Sequence, residues 1–208
     1  MPPLPSKKST ASGFADWVFR QHHPSYSDFD QFGRASRSER LARGSKAHLE
    51  IDLFLRHLWT IKYLGSGRHS GWTVYFADNK PTPDRQFIAS RLRIGHEPMR
   101  CLPDLVLVED RTAEVLIIER KTTRVQEPDI PFNGWPNVEA QLWCYSWIDD
   151  FVDSPCVHLI GQLWTRIAGG GVALCHRHPV WQRGDESHEA RCRRWFQRYG
   201  GRVAEGGA

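Results

Sequence analysis

Four short apolar runs, each bounded by turn residues, occupy the middle of the chain: WTVYFAD at 72–78, FIASRLRI at 87–94, PDLVLVED at 103–110 and EVLIIERK at 114–121. Their length and their β-branched and aromatic content predict strands, here a meander. Upstream, Leu41, Gly44, His48, Ile51, Leu55 and Leu58 alternate steps of three and four, which puts them on one helical stripe. Ser36 and Glu39 have the spacing of a capping box that starts such a helix, and Gly65 marks its end. A second helix is expected from Pro136–Asn137 through VEAQLWCYSWI, with Asn137 as its N-cap. Strands follow in CVHLIGQLW (156–164) and GVALCH (171–176), and DESHEARCRRWFQRY makes a last helix. The order helix, meander, helix, two strands, helix predicts an α/β fold with a mixed sheet covered by helices.

Composition bounds this picture. A chain of 208 residues has room for one sizeable core, and 9 Trp and 10 Phe within 40% hydrophobic content argue against disorder as a whole. One domain is expected over 13–200, with flexible tails at 1–12 and 201–208. Phe14, Trp17, Phe19, Tyr26, Phe29 and Phe32 are available to pack on the body, and Trp17, Phe19 or Tyr26 to stack the bases of a single strand. Net charge is +4, a mild excess that suits a polyanion without demanding one. Arg34, Arg37, Arg40, Arg43 and Lys46 recur at every third residue, and a further arginine series crowds the C-terminal region. Such runs serve as solvated helix faces or as phosphate contacts. The start lacks the apolar segment of a signal peptide, and no stretch reaches the roughly 18 apolar residues of a membrane span. A cytoplasmic protein with no membrane partner is therefore expected. Five cysteines without a close pair predict free thiols.

The chemistry concentrates in two adjacent runs. If Asp110-Arg111-Thr112-Ala113 is a hairpin loop and Glu109 pairs with Glu114, the register carries on to place Asp104 opposite Glu119. Opposed residues have Cβ atoms about 5 Å apart, close enough for two carboxylates to share one Mg²⁺ or Mn²⁺. Alternation puts Lys121 on the face of Glu119, while Arg120 points away and offers only its backbone carbonyl. The set can hydrolyse a phosphodiester: the cation acidifies a bound water and offsets transition-state charge, and the lysine orients or helps deprotonate that water. A merely solvent-facing hairpin is the plainer account. It conflicts with the run VLII, apolar on both faces, which marks a central strand where charges are costly unless paired or metal-bound.

Pro103-Asp104, a spacer, and Glu119-Arg120-Lys121 resemble the PD-(D/E)XK nuclease superfamily. GSKAH upstream, with Gly44 and His48, and QLWCY downstream, with Gln141 and Tyr145, resemble the G-x-x-x-H and Q-x-x-x-Y motifs of its RecB-like branch, which includes phage lambda-type exonucleases and CRISPR-adaptation nucleases. The resemblance spans about residues 40–146. It implies a restriction-endonuclease-like core with a central mixed sheet flanked by helices. It further implies a Mg²⁺- or Mn²⁺-dependent deoxyribonuclease, exonuclease-like rather than a site-specific endonuclease. In that reading Asp104, Glu119 and Lys121 are catalytic, supported by Gln141 and Tyr145, and His48, Asp104, Glu119 and the Arg120 carbonyl hold the metal. DNA, single- or double-stranded, meets Arg37, Arg40, Arg43 and Lys46, and a second copy or a helicase, recombination or defence protein is the kind of partner implied. The alternative is a catalytically silent nucleic-acid-binding or scaffold subunit that keeps the fold; the intact Asp, Glu and Lys favour the enzyme.

Cysteine placement departs from the branch members that carry an iron–sulfur cluster, because no cysteine precedes Cys101. That cluster is not expected. Cys175, His178, His188 and Cys192 form a C-x2-H-x9-H-x3-C pattern compatible with tetrahedral Zn²⁺, although Cys192 shares a helix face with Trp195, Phe196 and Tyr199, so core packing also accounts for it.

Overall fold

The computed structural model describes residues 8–22, 71–77, 86–123, 135–166, 172–177 and 181–204. The expected helix from Ser36, with Gly44 and His48 on it, and the cation series Arg34 to Lys46 lie outside the described residues. Strands β1 (Trp72–Ala77), β2 (Phe87–Ile94), β3 (Glu97–Cys101), β4 (Leu105–Glu109) and β5 (Val115–Thr123) occupy the first half of the described body. Strands β6 (Val157–Arg166), β7 (Val172–Arg177), β8 (Trp181–Gln182) and β9 (Gly201–Val203) follow, with helices α1 (Ala11–His22), α2 (Pro136–Tyr145) and α3 (Glu186–Tyr199). The main sheet runs β1-β4-β5-β6-β7, with β8 also on β6, and it is mixed because β5 and β6 are parallel while the other neighbours are antiparallel. The chain is thus α/β, with a mixed central sheet flanked by helices.

The β4–β5 hairpin has the expected register: Leu105 faces Ile118 and Val108 faces Val115, and the Glu109 N–H donates to the Glu114 carbonyl at 2.9 Å. Glu109 holds the loop itself, its carboxylate accepting from the N–H groups of Arg111 (2.8 Å) and Thr112 (2.6 Å). β5 is central, between β4 and β6, and Ile117, Ile118, Glu119 and Arg120 are all buried. Connecting parallel β5 and β6 requires a crossover, which α2 supplies while packing on both strands.

The meander is corrected. The run at 87–94 does not join β1 and β4, which pair with each other; it forms a hairpin with β3, an element the sequence reading left out, and β9 completes a separate three-stranded sheet. Alternation marks a strand but carries no information about its partner, so a hairpin inserted between two pairing strands reads as one continuous meander.

The described residues near each end pack on the body. Thr10 caps α1, its Oγ1 accepting from the Gly13 N–H at 3.1 Å. The Arg100 N–H donates to the Ser9 carbonyl at 2.9 Å, and Tyr199 exchanges hydrogen bonds with the Lys8 backbone at 2.9 Å. At the other end Gly200 takes φ 89° to stop α3, and Gly201 starts β9 against the Phe196 ring, where a Cβ would sit 2.4 Å from ring carbons. Only glycine fits there.

The core gathers around α2. Every residue from Val138 to Tyr145 is buried, which is expected of a helix that packs on all sides. Phe14 meets Trp143, Phe196 and Tyr199, with ring centroids 5.2–6.2 Å away, so α1 and α3 both lean on it. The N-cap of α2 is Trp135, not Asn137: Pro136 takes the first helical position, which needs no N–H, and shifts the start two residues earlier than the side-chain cap would. α3 matches expectation, with the Asp185 carboxylate accepting from the N–H groups of Ser187 and His188. Among the described residues no helix is long and apolar enough to cross a membrane.

Candidate functional site

At the open end of the β4–β5 hairpin the two predicted carboxylates meet. Asp104 sits one residue before β4, and its Oδ2 accepts from the Arg120 N–H at 2.6 Å, continuing the strand pairing with a side chain in place of a backbone carbonyl. The two backbone polar groups of one strand residue point to the same side, so the Arg120 carbonyl faces the edge that Asp104 occupies. Glu119, at 2% exposure, lies beside Gly161 of β6, whose missing side chain leaves room on that face. Lys121 shares the face as alternation requires, and its Nζ donates to Glu119 Oε1 at 2.5 Å.

α2 supplies the other wall. The Tyr145 hydroxyl lies 3.2 Å from Glu119 Oε2 and 2.8 Å from the Leu102 carbonyl, so its single proton is directed between two acceptors. Gln141, one turn earlier, donates from Nε2 to the Tyr145 oxygen at 2.5 Å. The sequence reading placed Gln141 against Lys121 or a phosphate; the structure inserts Tyr145 between them. The physical reason is length: a buried phenol reaches the strand first, and the glutamine amide satisfies the phenol. Leu102 was missed altogether, since a backbone carbonyl leaves no mark in a sequence. A cavity of about 200 Å³ is lined in part by Thr10, Ser12, Arg100, Leu102, Gln141 and Tyr145.

The electrostatics are unbalanced. Burial, then the Asp104 charge, pushes the Glu119 carboxyl up to about 7, although Lys121 and Tyr145 pull the other way. Burial works against the Lys121 ammonium, yet the Glu119 and Asp104 carboxylates outweigh it and hold its pKa above the ordinary lysine value. Burial and the Glu119 charge raise the Tyr145 phenol well above its usual range, so it stays protonated. Among the described residues, two carboxylates and one ammonium thus gather hard oxygen donors at one strand end, and a divalent cation is the kind of group that engages them.

A second cluster joins α2 to α3. Glu139, His188 and Cys192 are buried with one donor atom of each within 4.8 Å of the others. Glu139 Oε1 accepts from Arg191 Nε at 2.8 Å and from Arg191 Nη2, and lies 3.1 Å from His188 Nδ1. His188 and Cys192 thus come together as their one-turn spacing implies, but their third partner is Glu139, which the sequence reading missed. The available signal was a lone carboxylate within an otherwise buried apolar helix. Of the other members of the C-x2-H-x9-H-x3-C pattern, Cys175 is on β7 and His178 lies outside the described residues, as do His48, Arg37, Arg40, Arg43 and Lys46.

No protein-family model matches the chain, and no curated protein matches it. Among solved structures, the crystal structure of SSO0001 is similar to it at 14% identity, covering 95% of this chain and 78% of that one, with a TM-score of 0.36.

Proposed function

We propose that this chain is a divalent-metal-dependent DNA nuclease of the PD-(D/E)XK type, in its RecB-like branch, and exonuclease-like in action. The observation that carries the reading is the convergence of Asp104, Glu119 and Lys121 at the end of a central strand, with Glu119 buried and its carboxyl held up to about 7. Fixed charges in such a place lower stability unless something else engages them.

Asp104, Glu119 and the Arg120 carbonyl would hold Mg²⁺ or Mn²⁺; His48 joins them through the motif resemblance. A bound divalent cation would acidify a coordinated water and offset charge on the pentacovalent phosphorus of the transition state. The chain's own groups do the rest. Lys121, an ammonium at neutral pH, orients the attacking water and a phosphate oxygen by charge and does not take the water's proton. Tyr145 fixes the Glu119 carboxylate through its hydroxyl, and Gln141 fixes Tyr145. DNA as substrate draws support from the motif resemblance and from the cations Arg37, Arg40, Arg43 and Lys46.

The test is incubation of the purified protein with labelled linear and circular DNA, each single- and double-stranded, with Mg²⁺ or Mn²⁺. The proposal expects linear substrates to be degraded from an end and circles to persist, with chelation stopping the reaction. Cleavage of circles at equal rate would remove the exonuclease-like part, and intact DNA under every condition would remove the nuclease.

A further inference from the structure

The cluster between α2 and α3 has the makings of a second metal site, with donor chemistry unlike that of the first. We infer that Glu139, His188 and Cys192 bind one Zn²⁺ ion that staples the two helices. The inference does not depend on the nuclease reading.

The geometry is the primary support. His188 Nδ1 lies 3.1 Å from Glu139 Oε1 and 3.7 Å from Cys192 Sγ. Tetrahedral zinc, with bonds of about 2.0–2.1 Å to nitrogen or oxygen and about 2.3 Å to sulfur, spaces its donors by roughly 3.3 Å for N to O and roughly 3.6 Å for N to S. Both separations match before any ion is present. The three residues come from rigid places: His188 and Cys192 are one turn apart on α3, and Glu139 is on the first full turn of α2. The His188 ring is pinned flat on Trp181, at 5.1 Å between centroids and 13° between planes.

Ring orientation is consistent with this. His188, at 2% exposure, engages Nδ1 alone among the described residues. The engaged nitrogen is the one that faces the other two donors. Arg191, which donates to the Glu139 carboxylate, takes the outer position that commonly orients a ligating carboxylate.

On binding, the Cys192 S–H bond breaks, a Zn–S bond forms, and one proton leaves to solvent. Thiolate and carboxylate oppose the two charges of the ion, the carboxylate being shared with the partly exposed Arg191 guanidinium, and a water completes four ligands. Imidazole and thiolate favour zinc over Mg²⁺, whereas the oxygen donors of Asp104 and Glu119 have the reverse preference.

The experiment uses the full chain, stripped of metal by chelator, titrated with Co²⁺ alone as a spectroscopic probe and then with Zn²⁺ in competition. The inference expects one equivalent of Co²⁺ with a thiolate charge-transfer band and intense tetrahedral absorption, displaced stoichiometrically by Zn²⁺, with Zn²⁺ raising the melting temperature. Cys192→Ser should lose the band while Glu119→Gln keeps it, which separates this site from the proposed hydrolytic one. His188→Gln, which keeps the thiol, should weaken Zn²⁺ binding at least tenfold and supplies the second variant if Cys192→Ser fails to fold. A wild-type titration without the charge-transfer band would overturn the inference, as would a band that persists in folded Cys192→Ser.

Discussion

Two buried polar clusters flank α2, and they differ in how their charges are closed. On the strand side, among the described residues, Asp104 and Glu119 face the Lys121 ammonium, whose side chain is 34% exposed. On the α3 side, the Glu139 carboxylate is paired with Arg191, whose side chain is 38% exposed, and bonded to the buried His188. The first arrangement costs stability and leaves donors for a cation and a phosphate. The second joins two helices and is satisfied largely from within. Burial of charge alone therefore does not mark a reactive site; carboxylates gathered beside a partly exposed ammonium at a strand end are the better sign.

The contrast breaks most sharply under alanine substitution. Asp104→Ala, Glu119→Ala or Lys121→Ala should lower cleavage by roughly a hundredfold or more, with the melting temperature held or raised in Glu119→Ala, where repulsion is relieved, and lowered in Lys121→Ala, which takes the ammonium from a buried carboxylate. Glu139→Ala should do the converse, costing about 3 kcal/mol by stranding Arg191 and His188 while activity per folded molecule stays intact. Chemical denaturation and single-turnover cleavage on the same preparations measure both, and a Glu119→Ala protein that unfolds as readily as Glu139→Ala would erase the distinction.

Within the strand-side cluster, Gln141→Ala should lower turnover by roughly tenfold to a thousandfold, as expected for a supporting hydrogen bond, with little change in melting temperature. Because Gln141 acts through Tyr145, Tyr145→Phe should lower the rate similarly and move the acidic limb of the rate profile to higher pH, since the hydroxyl bond that helps keep Glu119 ionised is gone. A silent Gln141→Ala together with a Tyr145→Phe that costs only stability would leave α2 a structural helix.

A smaller effect concerns pH. The Glu119 carboxyl stands at about 7 in the folded metal-free protein against 4.5 ordinarily. Between those values the folded state holds more protons than the unfolded one, so this group's contribution to stability is greatest below 4.5 and falls as pH rises through 7. Denaturation of the chelator-treated protein across that window should show the decline, and Glu119→Gln should flatten it. The smallest effect is expected in binding: charge reversal at Arg40 and Arg43 should weaken DNA affinity and reduce its salt slope by about one per lost phosphate contact. Unchanged affinity at low salt would move the DNA elsewhere, toward the arginines of α3.

How far the sequence could be read follows the same divide between local and distant pairing. The β4–β5 register was legible because a short loop and strict alternation leave one solution, and with it came Asp104, Glu119 and Lys121 as a set. The departure of β2 into a second sheet was not, because its partners are β3, which the reading left out, and β9, three residues that begin with a glycine. Tyr145 and Gln141 were legible as one helix face, yet the order Gln141, Tyr145, Glu119 depends on how closely α2 approaches β5. Glu139 with His188 was invisible for the same reason: the pair joins two helices, and no spacing along the chain encodes it.

The most direct test is Mn²⁺ binding by calorimetry to wild type, Asp104→Asn, Glu119→Gln and Lys121→Ala, with the helix-side site already occupied by Zn²⁺. The paired-carboxylate account predicts binding to wild type, its loss in Asp104→Asn and Glu119→Gln, and its retention in Lys121→Ala, where the metal stays but the water-orienting ammonium is gone. Equal Mn²⁺ binding by wild type and Glu119→Gln would contradict it.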